Sequence, residues 1–487
     1  MSQEEIVDNI ILDFLEEKFP TTKSIILNET SKAGRRIAML CNLDTSNRPL
    51  FQDYKKIVSP ENNSKCHEYI IEVTQLLREY IKVADTDIKN YGEVLTPPAF
   101  INDMLDCLPS EVWSNKDLKW LDPCNGVGTF PAVVVTRLMV GLKDAIPNDC
   151  ERYKHIVNNM IYVCEIQAKN MFLYHCSFNR ENEHKLNTYF GSFLTDEFNE
   201  HMTNVWGVEK FDIIIGNPPF QTQKEGNTKT QAIWHYFVEK SFNILSENGY
   251  LNMVHPNGWR NIDGIFKGIQ NIFKKNNLLY LEMHNEKDGV NVFSASINYD
   301  WYVVQKSSYC GTTIIKTQNG EIIKRDISHM NFIPNGMFDE IFSLVSKEGE
   351  EKVNILHSYS SYETRKIFMS NIKNDEFKYP CIKNVTKSED ISVMYSNTNQ
   401  NGHFNIPKLI CGSASSGSNF YVDIDGDFGI TQFSFAIIDE PTNLELIKKC
   451  LKSSKFQKII QSIPNFSQAI NYKILSIFRK DFWKEFI

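Results

Sequence analysis

Phe211-Asp212-Ile213-Ile214-Ile215-Gly216-Asn217-Pro218-Pro219-Phe220 is the stretch that decides the fold. Its first six residues are a β-branched apolar run ending in Gly, which predicts a central parallel strand that stops abruptly. Pro218 and Pro219 have no amide hydrogen and a fixed φ, so the backbone must leave the sheet there. The Asn217 amide, the backbone carbonyls and the Phe220 ring are then displayed at the carboxyl end of a strand, where open α/β sheets bind ligands. An amide oxygen and a carbonyl oxygen can together accept both hydrogens of an exocyclic amino group. An adjacent aromatic can stack on the ring that bears it, as a flipped-out nucleobase requires. The plain alternative is a Pro-rich turn after a core strand, and the residues upstream decide between the two.

Upstream, Leu118-Lys119-Trp120-Leu121-Asp122-Pro123-Cys124-Asn125-Gly126-Val127-Gly128-Thr129-Phe130 predicts a strand ending at Asp122, a Gly-bearing turn and a buried helix. Gly126 and Gly128 let the backbone approach a ligand without Cβ interference. The pattern is neither GxGxxG nor a Walker loop, which argues against a dinucleotide site. Ile161-Tyr162-Val163-Cys164-Glu165-Ile166 predicts a second strand ending in an acid that can accept both ribose hydroxyl protons. The interval from Asp122 is long, and the extra residues lie in the connection over 141–149. Residues 188–194 predict a third strand, and Gly249-Tyr250-Leu251-Asn252-Met253-Val254-His255-Pro256 a fifth. Ahead of them all, Gly92-Glu93-Val94-Leu95-Thr96-Pro97-Pro98 predicts a helix start. Thr96 suits the N-cap and Pro97 the first turn of a helix running to Leu108, whose free amides can hold a carboxylate.

Asn217-Pro218-Pro219-Phe220 resembles motif IV of the amino-methyltransferases, (D/N/S)PP(Y/F/W), and the Asp122 loop resembles motif I of class I methyltransferases, (D/E)PxxGxG. With the Thr96 segment resembling motif X, the order X, I, II, III, IV resembles γ-class DNA N6-adenine methyltransferases over roughly residues 90–305. The resemblance implies an α/β fold with a class I methyltransferase Rossmann-like seven-stranded sheet. It further implies an N-terminal helical region (1–88), a catalytic domain (89–310) and a C-terminal α+β target recognition domain (311–487). S-adenosylmethionine is the implied cofactor, held by Thr96, Asp122, Pro123, Cys124, Gly126, Gly128, Glu165, Ile166, Ser192 and Phe193. Many relatives carry Asp where Ser192 stands, and Asp196 is a candidate substitute. Asn217, Pro218, Pro219 and Phe220 are the implied catalytic residues. The implied function is that of a site-specific, adenine-specific DNA methyltransferase of a restriction-modification system, needing neither a metal nor a covalent nucleophile. The implied partners are double-stranded DNA and a separate restriction endonuclease acting on the same site. A monomer in the cytoplasm is expected. Two rivals stay open: an enzyme for another amino group (rRNA guanine N2 or protein glutamine) and a non-catalytic subunit with a degenerate pocket.

The remaining residues bound the reading. At 487 residues the chain exceeds one ordinary core. Its 42% apolar and 23% charged content is that of a globular protein, and no apolar stretch approaches the roughly 20 residues of a membrane span. The eleven cysteines form no CxxC pair, which suggests neither a zinc knuckle nor a disulfide framework. A net charge of −8 means that a DNA cleft needs a local basic lining. Lys448, Lys449, Lys452, Arg479 and Lys480 are candidate phosphate contacts. Residues 221–231 read as a mobile polar loop, and Val290-Asn291-Val292-Phe293 with residues 297–304 as a closing hairpin. Phe293 is a candidate second stacker or a core residue. Glu350-Glu351-Lys352 with Asp339 superficially resembles a nuclease ExK, but the run continues a helical pattern from Phe338, so that reading is set aside.

Overall fold

The computed structural model describes residues 70, 71, 74 and 96–487, apart from 180–183, 224–229, 387, 413–418 and 465–470. The readings made over residues 1–88 and 92–95 therefore lie outside the described residues, except that Ile70, Ile71 and Thr74 are helical. The chain divides into two compact units. One runs to Asn257 and resumes over Gly268–His329; the other comprises Gly258–Lys267 and Met330–Ile487.

The strands of the first unit are β1 (Trp120–Asp122), β2 (Ile161–Glu165), β3 (Asn187–Phe190), β4 (Phe211–Gly216), β5 (Gln221–Gln223), β6 (Thr230–Ala232), β7 (Leu245–Pro256), β8 (Asn276–His284), β9 (Tyr299–Ser308), β10 (Thr313–Lys316) and β11 (Ile322–Arg325). Its helices are α1 (Pro98–Leu105), α2 (Thr129–Gly141), α3 (Asp149–His155), α4 (Ala168–Phe178), α5 (Asp196–Asn204), α6 (Trp234–Ile244), α7 (Lys267–Lys275) and α8 (Glu286–Phe293). One sheet runs β11-β10-β8-β9-β7-β4-β1-β2-β3. Strand β9 is antiparallel to both neighbours, β11 is antiparallel to β10, and the other pairs are parallel. The order β3-β2-β1-β4-β7-β9-β8 with one reversed strand is the class I methyltransferase sheet, an α/β fold flanked by helices. It has nine strands instead of the expected seven, because β10 and β11 extend it past residue 310 to Arg325.

Sequence and burial agree at the sheet's centre. All three residues of β1, all five of β2 and all but Asp212 of β4 are buried. Each fully buried Ile of β4 contributes about 1.5–3 kcal/mol. Asp212 is accounted for, since its Oδ2 accepts the Lys119 N–H (2.8 Å) and fastens the starts of β4 and β1 together.

Several elements depart from the sequence reading. Helix α1 starts one residue late and ends at Leu105, because Pro98 holds Pro97 extended (ψ 139°) as the N-cap. The connection over 141–149 is a turn that leads into α3, whose N-cap Asn148 accepts from the Glu151 N–H. Strand β3 stops at Phe190, leaving Ser192 in the following turn. Residues 221–223 and 230–232 pair as antiparallel strands at the two ends of the segment read as a mobile loop, whose residues 224–229 lie outside the described residues. Val290-Asn291-Val292-Phe293 ends a helix instead of opening a hairpin. A reciprocal capping box between Asn285 and Asp288 starts α8 and outweighs the β-branched residues' strand preference.

In the second unit, α9 (Phe338–Leu344) stops well before Glu350, so the helical run expected through Glu350-Glu351-Lys352 does not form. Two four-stranded sheets follow, with orders β12-β19-β16-β17 and β13-β15-β14-β18. Their strands are β12 (Asn354–Leu356), β13 (Met369–Ser370), β14 (Tyr379–Val385), β15 (Ile391–Ser396), β16 (Lys408–Gly412), β17 (Phe420–Asp423), β18 (Gly429–Ile430) and β19 (Ser434–Ile438). Helices α10 (Pro441–Lys452), α11 (Ser454–Ser462) and α12 (Tyr472–Leu475) follow. Leu444, Ile447, Phe456 and Phe478 join Leu409 and Phe435 in one core.

The two loop glycines do different work. A Cβ on Gly128 (φ +93°) would lie 2.7 Å from Tyr174 Cδ2 and 2.9 Å from Phe178 Cε2, whereas one on Gly126 (φ +56°) meets nothing within 4 Å. Gly128→Ala is therefore expected to cost about 2–4 kcal/mol in chemical denaturation, from overpacking and left-handed backbone together. Gly126→Ala should cost only the backbone part, about 1–2 kcal/mol. Equal losses for the two variants would contradict this division.

Candidate active site at the carboxyl end of the sheet

Parallel strands β2, β1 and β4 end side by side, and the segments that leave them are tied together. The Gly126 N–H donates to Glu165 Oε2 (2.7 Å), while Glu165 Oε1 accepts from the Gln167 N–H (2.7 Å). The Asn125 N–H donates to the Cys164 carbonyl (3.0 Å), and the Gly191 N–H to that of Glu165 (2.9 Å). Glu165 thus organises the glycine loop through both carboxylate oxygens. Gly216 lets the β4 end pass close to this loop: a Cβ there would stand 3.1 Å from Asp122 Oδ1 and 3.2 Å from Cys124 Sγ.

Asn217 follows. Its Nδ2 donates to Thr96 Oγ1 (3.0 Å), so Thr96 and the β4 end meet across 121 residues of sequence. Its Oδ1 is shielded and makes no hydrogen bond among the described residues. Such an unpaired acceptor costs on the order of 1–3 kcal/mol, which a ligand donor would recover. Phe220 is half-buried with its ring edge-on to Phe293 (5.8 Å, 86°). Phe293 is itself buried and packs edge-on to Phe100 and Tyr299, so it supports Phe220 as a core residue and offers no open face.

The other proposed cofactor residues divide. Ile166 is 42% exposed beside Glu165, as a residue facing a ligand would be. Phe193 is buried, stacked on Phe237 (5.5 Å) and edge-on to Phe198. Ser192 Oγ accepts the Leu194 N–H (3.3 Å), and Asp196 opens α5. Lys240 was not singled out by any sequence pattern. Its Nζ donates to the Thr195 carbonyl (2.6 Å) and sits 5.3 Å from the Phe193 ring centroid. Burial lowers its pKa. In the second unit, four of the five bases considered for phosphate contact are engaged, and Lys449 is exposed. Lys448 and Lys452 both reach Glu389, Arg479 pairs with Asp481 and Glu485, and Lys480 with Glu351.

Asp122 is the most perturbed acid of the loop. Burial pushes its carboxyl up to about 7, against the opposing hydrogen bonds from the Cys124 N–H and thiol. Its Oδ2 has no partner among the described residues. An unfolded Asp ionises near 3.8, so between about pH 4 and pH 7 the folded chain keeps a proton that the unfolded chain has lost. The unfolding free energy should fall with rising pH across that window, by on the order of 4 kcal/mol, and level off above about pH 7. Denaturant titrations from pH 4 to 8 should show this slope in the wild type and lose it in Asp122→Asn. Superimposable profiles would rule out the buried proton.

Comparison with known proteins agrees with this geometry. Residues 131–293 match the family model of the Eco57I restriction-modification methylase. The chain is similar to an uncharacterized adenine-specific methylase of Mycoplasma pneumoniae, 27% identical over 312 residues that cover 47% of this chain and 71% of that one. Among solved structures it resembles a nuclease-deletion mutant of the Type ISP restriction-modification enzyme LlaGI in complex with a DNA substrate mimic (TM-score 0.55, 13% identity, 99% of this chain and 57% of that one). It also resembles the Type IIL restriction-modification enzyme MmeI in complex with DNA (TM-score 0.51, 12% identity, 98% and 87%). At those identities the structures establish a shared fold. The match over residues 131–293 covers a third of the chain and contains β2, β3, β4 and the Asn217–Phe220 segment, so the similarity to restriction-modification methylases falls on the strands that form the site.

Proposed function

We propose that this chain is a γ-class, S-adenosylmethionine-dependent DNA methyltransferase acting on N6 of adenine, the modification enzyme of a restriction-modification system. The observation that carries the reading is Asn217 at the end of β4, with its amide oxygen unclaimed and Phe220 three residues on. The names of the similar proteins support DNA adenine as the substrate and a restriction-modification setting as the context.

The residues present fit the cofactor. Glu165 would take the ribose hydroxyls, and the space beside Gly126 would admit the ligand to the backbone. Asp122, with a buried oxygen lacking a partner, would receive a cationic or N–H donor group. When bound, S-adenosylmethionine supplies a methyl carbon on a sulfonium; the amino nitrogen's electron pair forms the C–N bond, the C–S pair stays on sulfur, and one amino proton is lost.

Asn217 Oδ1 and the Pro218 carbonyl would accept the two N6 hydrogens and turn the nitrogen lone pair toward that carbon. This is stabilisation that grows as N6 changes geometry, so it acts on the transfer step. Phe220 would stack on the extruded base. We assign target recognition to the second unit, with the first unit holding the chemistry.

The deciding experiment is incubation of purified protein with labelled cofactor and mixed-sequence DNA, followed by modified-base sequencing. N6-methyladenine at one sequence context is the expected product. Label in RNA or protein alone, or cofactor binding with transfer to no DNA, would overturn the reading. Asn217→Ala should slow single-turnover transfer roughly 100-fold while leaving cofactor binding near wild type. Phe220→Ala should also weaken capture of the flipped base, since stacking is worth about 1–3 kcal/mol. A fluorescent base analogue at the target reports that step. A wild-type transfer rate in Asn217→Ala would remove the proposed role of that side chain.

A further inference from the structure

We infer that Thr96 is a positioning residue whose hydroxyl anchors the Asn217 carboxamide in place. The inference rests on the methyl-transfer reading above and adds a second residue to it.

A carboxamide has two nearly isosteric orientations, differing by exchange of oxygen and nitrogen. One offers a substrate amino group an acceptor; the other offers it two hydrogens and repels it. Asn side chains are commonly fixed by the backbone two residues on, through an Asx turn to that residue's N–H. Here residues 218 and 219 are both proline and have no N–H to give. The local chain therefore cannot hold Asn217 Oδ1, and an anchor for the side chain has to come from a distant group. Thr96 is the partner found, with Oγ1 accepting from Asn217 Nδ2 at 3.0 Å, which leaves Oδ1 as the free end.

Among the described residues, the bond to Asn217 is the side-chain hydrogen bond that Thr96 makes. Thr96 is 4% exposed, and its side chain caps no helix, because α1 takes Pro97 as its N-cap without a side-chain bond. Helix α1 is held from two sides. Arg137 of α2 donates to Asn102 Oδ1 (2.7 Å) and pairs with Asp106 (2.7 Å). From β7, the buried Asn252 donates to the Met104 carbonyl (2.8 Å). Asn252 lies opposite Ile215 of β4 in the sheet register, two residues before Asn217. The start of α1 is thus referenced to the strand that carries Asn217. While accepting from Asn217, the Thr96 hydroxyl keeps its own proton to donate elsewhere.

The test compares Thr96→Val, which keeps shape and loses the hydroxyl, with Thr96→Ser, which keeps it. Thr96→Val should slow single-turnover methyl transfer at saturating cofactor and DNA by roughly tenfold to a hundredfold. Thr96→Ser should recover most of the rate. On an Asn217→Ala background Thr96→Val should add nothing, because the two side chains act as one unit. A wild-type rate in Thr96→Val, an undiminished effect on the Asn217→Ala background, or a loss that disappears at saturating cofactor would each overturn the inference. A second arm needs no substrate. In protein labelled with 15N-asparagine, the Asn217 side-chain NH2 signals, assigned by their loss in Asn217→Ala, should shift or broaden in Thr96→Val and stay near wild type in Thr96→Ser. Unmoved signals in Thr96→Val would refute the hydrogen bond. If the signals respond but wild-type protein transfers no methyl to adenine, the adenine reading fails and the anchoring contact stands.

Discussion

Two consecutive prolines after a buried strand set the terms for this site. They end β4 because neither can donate to a ladder, and they leave Asn217 with no local donor for its oxygen. The remaining contacts of the strand end follow from that. Gly216 lets it run within van der Waals reach of Asp122 and Cys124. Thr96 takes the amide hydrogens, and Phe220 packs its edge on Phe293. The unclaimed oxygen is an acceptor held ready, with its desolvation cost already met by the strand's packing.

The parallel register is what converts separate loops into one site. Trp120 pairs with Ile161 on one side and Ile213 on the other, so β1, β2 and β4 finish at the same edge. Glu165 then bridges β2 to the glycine loop through backbone donors instead of side chains. Such bonds depend on where the backbone goes and are indifferent to most of the loop's side chains. Gly128 adds a steric condition of a different kind, since Tyr174 and Phe178 of α4 occupy the space its side chain would need. One glycine keeps a helix packed and the other keeps a space open.

Much of this was legible in the residues. The strand ends at Asp122, Glu165 and Gly216 carry strong local signals, namely apolar runs cut off by Gly, Pro or an acid. What was illegible depended on capping or on distance. Val290-Asn291-Val292-Phe293 looks like a strand by composition, yet the bonds of Asn285 and Asp288 begin a helix, and Ser294 in left-handed geometry (φ 55°) ends it. Strands β10 and β11 are short, and β11 is an edge with Ile322 66% exposed, so their pattern is too weak to claim them for the sheet. The Thr96–Asn217 bond joins residues with no periodic relation. Local sequence gives the ends of elements that stop for local reasons, and long-range pairs must be seen.

Charge in the second unit makes the same point about counting. Lysines and arginines there look available in the sequence, but several are committed within the unit. Lys408 is wholly buried and bonded to Asp423 (2.6 Å), whose oxygens also accept the Asp427 and Phe428 N–H groups. Burial lowers the Lys408 pKa while the carboxylate opposes it, so this pair spends its charge on holding the turn after β17. Lys448 and Lys452 share Glu389, joining α10 to the turn before β15. Two lysines on one carboxylate leave one net positive charge, and exposed pairs worth about 0–1 kcal/mol yield readily to a phosphate. Recognition of a polyanion by this unit would therefore rest on shape, hydrogen bonding and a few local bases, in keeping with a chain whose net charge is −8.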